Sequence, residues 1–256
     1  MDASRRNFCQ TGLVALAGLG LASSSGIVRM AEGRDVAPTS GKTSRRPKIA
    51  AITVRYGLRL HADNLVTRLL EGYWINDKFH EPRCEVASLY VHHLSDYSPD
   101  VSRRLVEACH IRSSPTIADA LTLGTGSLGV DGVLIVSEDG LTPWRENPFL
   151  SFYSEFVDVF QESGRSVPVL NDKALSCDWN EAQWMVRQSC ELDFPLLAGS
   201  TVPITFRRPE LEFPLGARFD EALVAATLPG TYVESIGCHC IELLQAMVER
   251  RAGARW

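Results

Sequence analysis

The sequence predicts an α/β fold: a Rossmann-like, doubly wound parallel sheet, with a partial second α+β region at the C-terminus. Three observations carry that expectation. From Lys48 onward, short apolar runs alternate with stretches of helical periodicity, the pattern of parallel strands joined by crossover helices. The first pair is a strand, a tight turn and a helix, which is how a doubly wound nucleotide-binding domain opens. The composition is ordinary for a globular protein, with 45% hydrophobic and 22% charged residues in 256, enough for one large domain or one domain plus part of another.

The elements follow in order. Ile49 to Val54 is an apolar run of strand length. Ala62, Leu65, Val66, Leu69 and Leu70 stand at i, i+3, i+4, i+7 and i+8, one face of a helix. Tyr73 to Arg83 reads as a loop, and Cys84 to Val91 as a second strand. Ser98-Pro99-Asp100 has the marks of a helix start, with a helix expected to about Cys109. Thr116 to Leu123 reads as a short helix and Asp131 to Val136 as a strong strand. Phe152, Tyr153, Phe156, Val159 and Phe160 make the buried face of the next helix. Val167 to Leu170 is a short strand. Asp178 with Glu181 is a capping pair for a helix to about Leu192, and Pro195 to Ala198 is the next strand. Further on, Ala222 to Leu228 reads as a strand and Gly237 to Arg251 as a helix.

Ahead of the first strand the chain reads as an address. Ser4-Arg5-Arg6-Asn7-Phe8 is a twin-arginine pair followed by a bulky apolar residue, and Leu13 to Ala22 is a short, Gly-rich apolar run too short to span a bilayer well. Residues 1–30 are therefore expected to be a twin-arginine signal. The expected partner is the twin-arginine export machinery and the expected location periplasmic or extracellular, with a membrane anchor if the signal is uncleaved. Cleavage near Ala22 and near Ala31 both fit. Residues 31–47 are polar with Gly and Pro and read as a flexible linker.

A net charge of −5 with scattered basic pairs excludes a general nucleic-acid surface. The seven cysteines form no C-x-x-C pair. The run Cys238-His239-Cys240 superficially suggests a metal tract. Neighbouring helical positions point about 100° apart, however, so three in a row do not close on one ion, and no metal is expected. His92-His93, adjacent on a strand, point to opposite faces. Thr122 to Gly126 lacks the Gly-Lys-Ser/Thr ending of a phosphate loop and reads as a turn.

Taken together, the series of parts resembles the Gfo/Idh/MocA family of oxidoreductases over roughly residues 48–250. The residues that carry the resemblance are His61-Ala62 at the opening of the first helix, Glu85 to Val91, Ser114 to Leu121 with its Asp-Ala-Leu, Asp131 to Ile135, Asn171-Asp172-Lys173, and Gly237 to Glu242. The last two stand where that family has Glu-Lys-Pro and a G-x-H-x-x-D helix. The resemblance implies residues 48–203 as a nucleotide-binding domain and 204–256 as the start of a shortened substrate domain. It implies NAD or NADP as cofactor, a small-molecule substrate such as a sugar or polyol, and Lys173 and His239 as the catalytic pair. Arg55, Gly57, His61, His92 and Asp172 would lie on the cofactor side, and Asn171 and Glu242 on the substrate side. A homo-oligomer is compatible with it.

The sequence also departs from that family. Where its turn has glycines, this chain has Thr53, Arg55 and Leu58. His92-His93 replaces the acid that closes the second strand, Ala174 the proline after the lysine, and Ser235 the acid before the histidine. Two further readings stand beside the oxidoreductase: a non-catalytic Rossmann-fold protein that binds a small ligand, and an NAD-dependent glycoside hydrolase or lyase.

Overall fold

The computed structural model describes residues 45–92, 100–136, 148–204, 207, 209–225 and 233–249. The expected signal, most of the expected linker, and Ser98, Pro99 and His93 lie outside the described residues.

Six strands form one parallel sheet: β1 (Lys48–Thr53), β4 (Glu85–Val91), β5 (Arg112–Ser113), β6 (Gly132–Val136), β7 (Val169–Asp172) and β8 (Leu196–Gly199). They lie side by side as β5-β4-β1-β6-β7-β8. Counting only these strands, the order is 3-2-1-4-5-6, the doubly wound Rossmann arrangement, and it reverses between β1 and β6. The two central strands are apolar through their middles, Ile49 to Ile52 in β1 and Val133 to Val136 in β6, because both of their faces are covered. In β1, Ala50 and Ile52 enter one core and Ala51 the other; in β6, Val133 and Ile135 alternate with Leu134 and Val136. A register shift opposite Ile49 and Ala50 marks an irregularity in β4.

The helices split between the two faces. On one side lie α1 (His61–Glu71) and α2 (Ser102–Cys109), packed through Ala62, Val66 and Leu105. On the other lie α3 (Ile117–Thr122), α4 (Phe149–Ser163) and α5 (Trp179–Glu191). The aromatic stripe of α4 is buried as the periodicity predicted, with Phe156 and Phe160 meeting Phe194 edge-on at 6.0 and 5.5 Å between centroids. Ser88, buried in β4, donates to the Ala120 carbonyl at 2.7 Å, which satisfies the last turn of α3.

The caps show why the helices begin where they do. Thr116 Oγ1 accepts from the Asp119 N–H, and Asp178 Oδ1 accepts from the N–H groups of Asn180 and Glu181. Glu181 reaches back through Ser176, whose hydroxyl donates to it while accepting from the Asp178 N–H. The start of α2 differs from expectation. Its first helical residue is Ser102, its N-cap is Val101, and Asp100 just ahead accepts the Ser102 N–H at 2.8 Å.

Other differences have local causes. The expected loop Tyr73–Arg83 contains a hairpin, β2 (Tyr73–Ile75) and β3 (Lys78–His80), turned by Asn76 and Asp77, both at positive φ. β7 sits two residues later than expected, so Asn171 and Asp172 are strand residues. Past Gly199 the described residues hold a 3-10 turn (Val202–Ile204) and a helix, α6 (Val233–Val248), and Glu221 to Ala225 are not in a strand. The six described cysteines form no disulfide with one another. Among the described residues no helix is long and apolar enough to cross a membrane.

Candidate functional site

In an open parallel sheet, ligands bind beyond the carboxyl ends of the strands, where the order reverses. Apart from His92, the polar residues that the sequence singled out stand at or beside the carboxyl ends of these strands, in two halves.

The first half is the end of β1 and the turn into α1. It is closed by the protein itself. Tyr56 is buried and its hydroxyl meets Thr67 Oγ1 at 2.8 Å, with burial pushing the phenol's pKa up. The Tyr56 carbonyl accepts from the Val101 N–H, and Gly57 forms an antiparallel bridge with Asp100. These contacts tie the β1 turn to the segment leading into α2. Arg59 takes a left-handed conformation, φ 63°, with its N–H donating to Asp63 Oδ2 at 2.8 Å. Thr67 donates to the other oxygen of that carboxylate. A dinucleotide pyrophosphate needs backbone N–H groups at such a turn, approached closely over glycines. Here an internal carboxylate takes one of those N–H groups and the backbone bridges the groove, so the turn does not fit a pyrophosphate held in that manner. Arg55 and Gly57, expected on the cofactor side, stand in this turn. His92 stands apart from the polar cluster described next. Its ring meets Tyr90 Oη at 3.0 Å and packs against Phe152, 5.2 Å between centroids.

The second half lies at the ends of β7 and β8, and it is built. Asn171, Asp172 and Lys173 are all buried. His61, the first residue of α1, meets Asp172 Oδ2 through Nδ1 at 2.8 Å, which fixes the imidazole at the lip of the cluster. Asn171 donates its amide to the carbonyls of Asp172, Lys173 and Ala174, holding the bend that ends β7. Lys173 adopts φ 71°, unusual for a side chain of its size, and its N–H donates to the Gly199 carbonyl at 3.0 Å. Ser200 follows directly. Its N–H donates to Glu242 Oε1 at 2.7 Å and its hydroxyl to Glu242 Oε2, while His239 Nδ1 lies 3.1 Å from Ser200 Oγ and 3.2 Å from Glu242 Oε2. A Cβ on Gly199 would stand 3.3 Å from Glu242 Oε1, so the small residue permits this approach.

The Lys173 main chain and the His239 ring, 66 residues apart in sequence, are linked through Gly199 and Ser200: the Lys173 N–H donates to the Gly199 carbonyl and His239 Nδ1 meets the Ser200 hydroxyl. Their neighbourhood shows in the Cys238 thiol: burial and the Glu242 carboxylate push its pKa up, while the Lys173 ammonium pulls it down. Two participants escaped the sequence reading. Ser200 carried no signal, because its role depends on where β8 ends. Cys238 was read only as part of a run with Cys240. In the structure the grouping is instead Cys238, His239 and Glu242, whose ligand atoms all lie within 4.8 Å of one another.

No known protein-family model matches the chain. No curated protein matches it either. Among solved structures it is similar to a Gfo/Idh/MocA family oxidoreductase from Vibrio cholerae, with 18% identity over 61% of this chain and 39% of that one, at a TM-score of 0.40. It is also similar to the apo scyllo-inositol dehydrogenase of Lactobacillus casei, with 12% identity over 65% and 39% of the two chains and a TM-score of 0.40. A third is the biliverdin reductase of Synechocystis in complex with biliverdin and NADP+, with 10% identity over 60% and 37% and a TM-score of 0.39. The chain spans less than half the length of these structures.

Proposed function

We propose that this chain is a small-molecule oxidoreductase of the Gfo/Idh/MocA type, acting on a hydroxyl-bearing ligand such as a sugar or polyol at the ends of β7 and β8. The observation that supports it is the link from the main chain of buried Lys173, through Gly199 and Ser200, to the His239 ring, with the Lys173 ammonium pulling down the pKa of the adjacent Cys238 thiol. Ser200 and Glu242 hold the Nδ1 side of the His239 ring, which leaves Nε2 to take the proton of a bound hydroxyl. The Lys173 ammonium then steadies the negative charge that develops on that oxygen. NAD or NADP would supply the hydride acceptor. The closed turn at Gly57 and Asp63 does not seat a pyrophosphate as glycine turns do. The twin-arginine pair supports export of the folded chain to the periplasm.

The Gly57–Asp100 bridge favours a second reading, a ligand-binding Rossmann protein that takes no dinucleotide. One experiment separates the two. The protein is purified from cells that export it and denatured, and released nicotinamide dinucleotide is sought by mass spectrometry. Stoichiometric NAD or NADP supports the oxidoreductase. A clean absence, with no binding when cofactor is added back, overturns it in favour of the second reading.

A further inference from the structure

We propose that Cys238, His239 and Glu242 form a binding site for a divalent transition-metal ion, zinc in the first instance. The three positions are i, i+1 and i+4 of α6. The pairs Cys238–Glu242 and His239–Glu242 therefore have the i,i+4 and i,i+3 spacings that bring side chains together on a helix surface. Their ligand atoms lie within 4.8 Å of one another. Around a tetrahedral zinc such atoms stand roughly 3.2–3.8 Å apart, given bonds of about 2.0–2.3 Å. The 3.2 Å between His239 Nδ1 and Glu242 Oε2 already meets this. One thiolate, one imidazole and one carboxylate are a zinc-type donor set, and three protein ligands leave a fourth position for water or a substrate oxygen.

The support for the ligands is also present. The Ser200 N–H holds Glu242 Oε1, orienting the carboxylate as outer partners of metal ligands do. Cys238 and His239 are adjacent and their Cα–Cβ bonds diverge by about 100°, but Glu242 lies one turn on from both, and the reach of the three side chains brings their ligand atoms within 4.8 Å of one another. Binding releases the Cys238 thiol proton to solvent. The inference does not rest on the hydroxyl-ligand reading: a neutral ring that binds the ion through Nδ1 carries its proton on Nε2, so the metal-bound and general-base states of His239 exclude each other, and metal content is measured without sugar or nucleotide.

The test uses the full chain, stripped with a chelator, incubated with Zn2+ and desalted, with metal counted by plasma mass spectrometry. The expected result is about one zinc per chain in the wild type and in Cys240→Ser, with binding at least roughly tenfold weaker in Cys238→Ala and Glu242→Gln. Circular dichroism confirms that each variant is folded. Co2+ loading adds a second measurement: a thiolate-to-cobalt absorption band in the wild type that Cys238→Ala lacks. Wild-type protein that retains no metal, folded variants that retain as much as the wild type, or loss of the ion in Cys240→Ser would each overturn the proposal.

Discussion

Replacing Asp131 with Asn tests the frame on which the site is hung. Asp131 precedes β6 and reaches across to β1. Its Oδ2 accepts the Lys48 N–H at 2.7 Å, and its Oδ1 accepts from the Arg45 guanidinium at 3.0 Å, while its own N–H donates to the Lys48 carbonyl. These bonds hold together the two strands that flank the reversal of strand order. The Lys48 N–H, with Arg45 beside it, holds the Asp131 carboxyl below the usual carboxylate range. Asn keeps the shape and one neutral acceptor for the Lys48 N–H, so the substitution removes the charge and gives up the bond from Arg45, where an NH2 group would replace the accepting oxygen. A bond to a charged group contributes about 1.5–3 kcal/mol against about 1 for a neutral one. The Arg45 bond is largely exposed and adds little. The expected loss at neutral pH is therefore about 1 kcal/mol.

The sign with pH follows from linkage. A depressed carboxylate stabilises the fold above its unfolded pKa of about 3.9, and that contribution is lost as pH falls through the lower folded value. Urea unfolding of wild type and Asp131→Asn should thus differ at pH 7, and the gap should narrow at the lowest pH at which the protein stays folded, as the wild-type carboxyl gains its proton. An equal deficit at both pH values would refute the assignment of the effect to the ionised Asp131.

Two further predictions concern packing. Phe156→Ala removes a fully buried ring that packs against Tyr153, Phe160 and Phe194, and should cost about 3–5 kcal/mol, read as a lowered urea midpoint. Gly72→Ala places a Cβ 2.4 Å from Phe79 Cζ and 2.7 Å from the His80 carbonyl oxygen at φ 79°, and should destabilise by more than about 1 kcal/mol, where an ordinary surface Gly→Ala would be neutral or better.

The parts of the fold legible in the sequence are those where burial leaves a periodic trace. β1 and β6 show as apolar runs because helices cover both of their faces, and α1 and α4 show as stripes because one side of each is buried. The β2–β3 hairpin was missed for the opposite reason. Trp74 and Phe79 pair across it in the open, 68% and 43% exposed, so no alternation of burial marks its strands. The Asn76-Asp77 turn was the available signal, since both residue types tolerate the positive φ that such a turn requires. β5 has two residues and leaves no pattern at all. β7 was placed early because Asn171 and Asp172 look like loop residues. They are strand residues because their backbones pair, Asn171 with Ile135 of β6 and Ala198 of β8 and Asp172 with Gly199 of β8, and their side chains are buried.

The site divides along the same line. Lys173, His239 and Glu242 could be singled out by resemblance, because side-chain identity is what a motif records. The contacts that join them run through the Gly199 carbonyl and Ser200, and backbone geometry at a strand end leaves no residue pattern. The closed turn was half legible. Missing glycines showed that the usual anion seat was absent, but the bridge to Asp100 and the Asp63 carboxylate on the Arg59 N–H emerge only on folding.

The central claim is that Lys173 and His239 share one ligand site, and a thermal-shift panel of sugars and polyols tests it most directly. At least one member should raise the unfolding temperature of the wild type and of Cys240→Ser, while leaving Lys173→Ala and His239→Ala unmoved. The same shift in both alanine variants, or no shift with any member in the wild type, would contradict the claim.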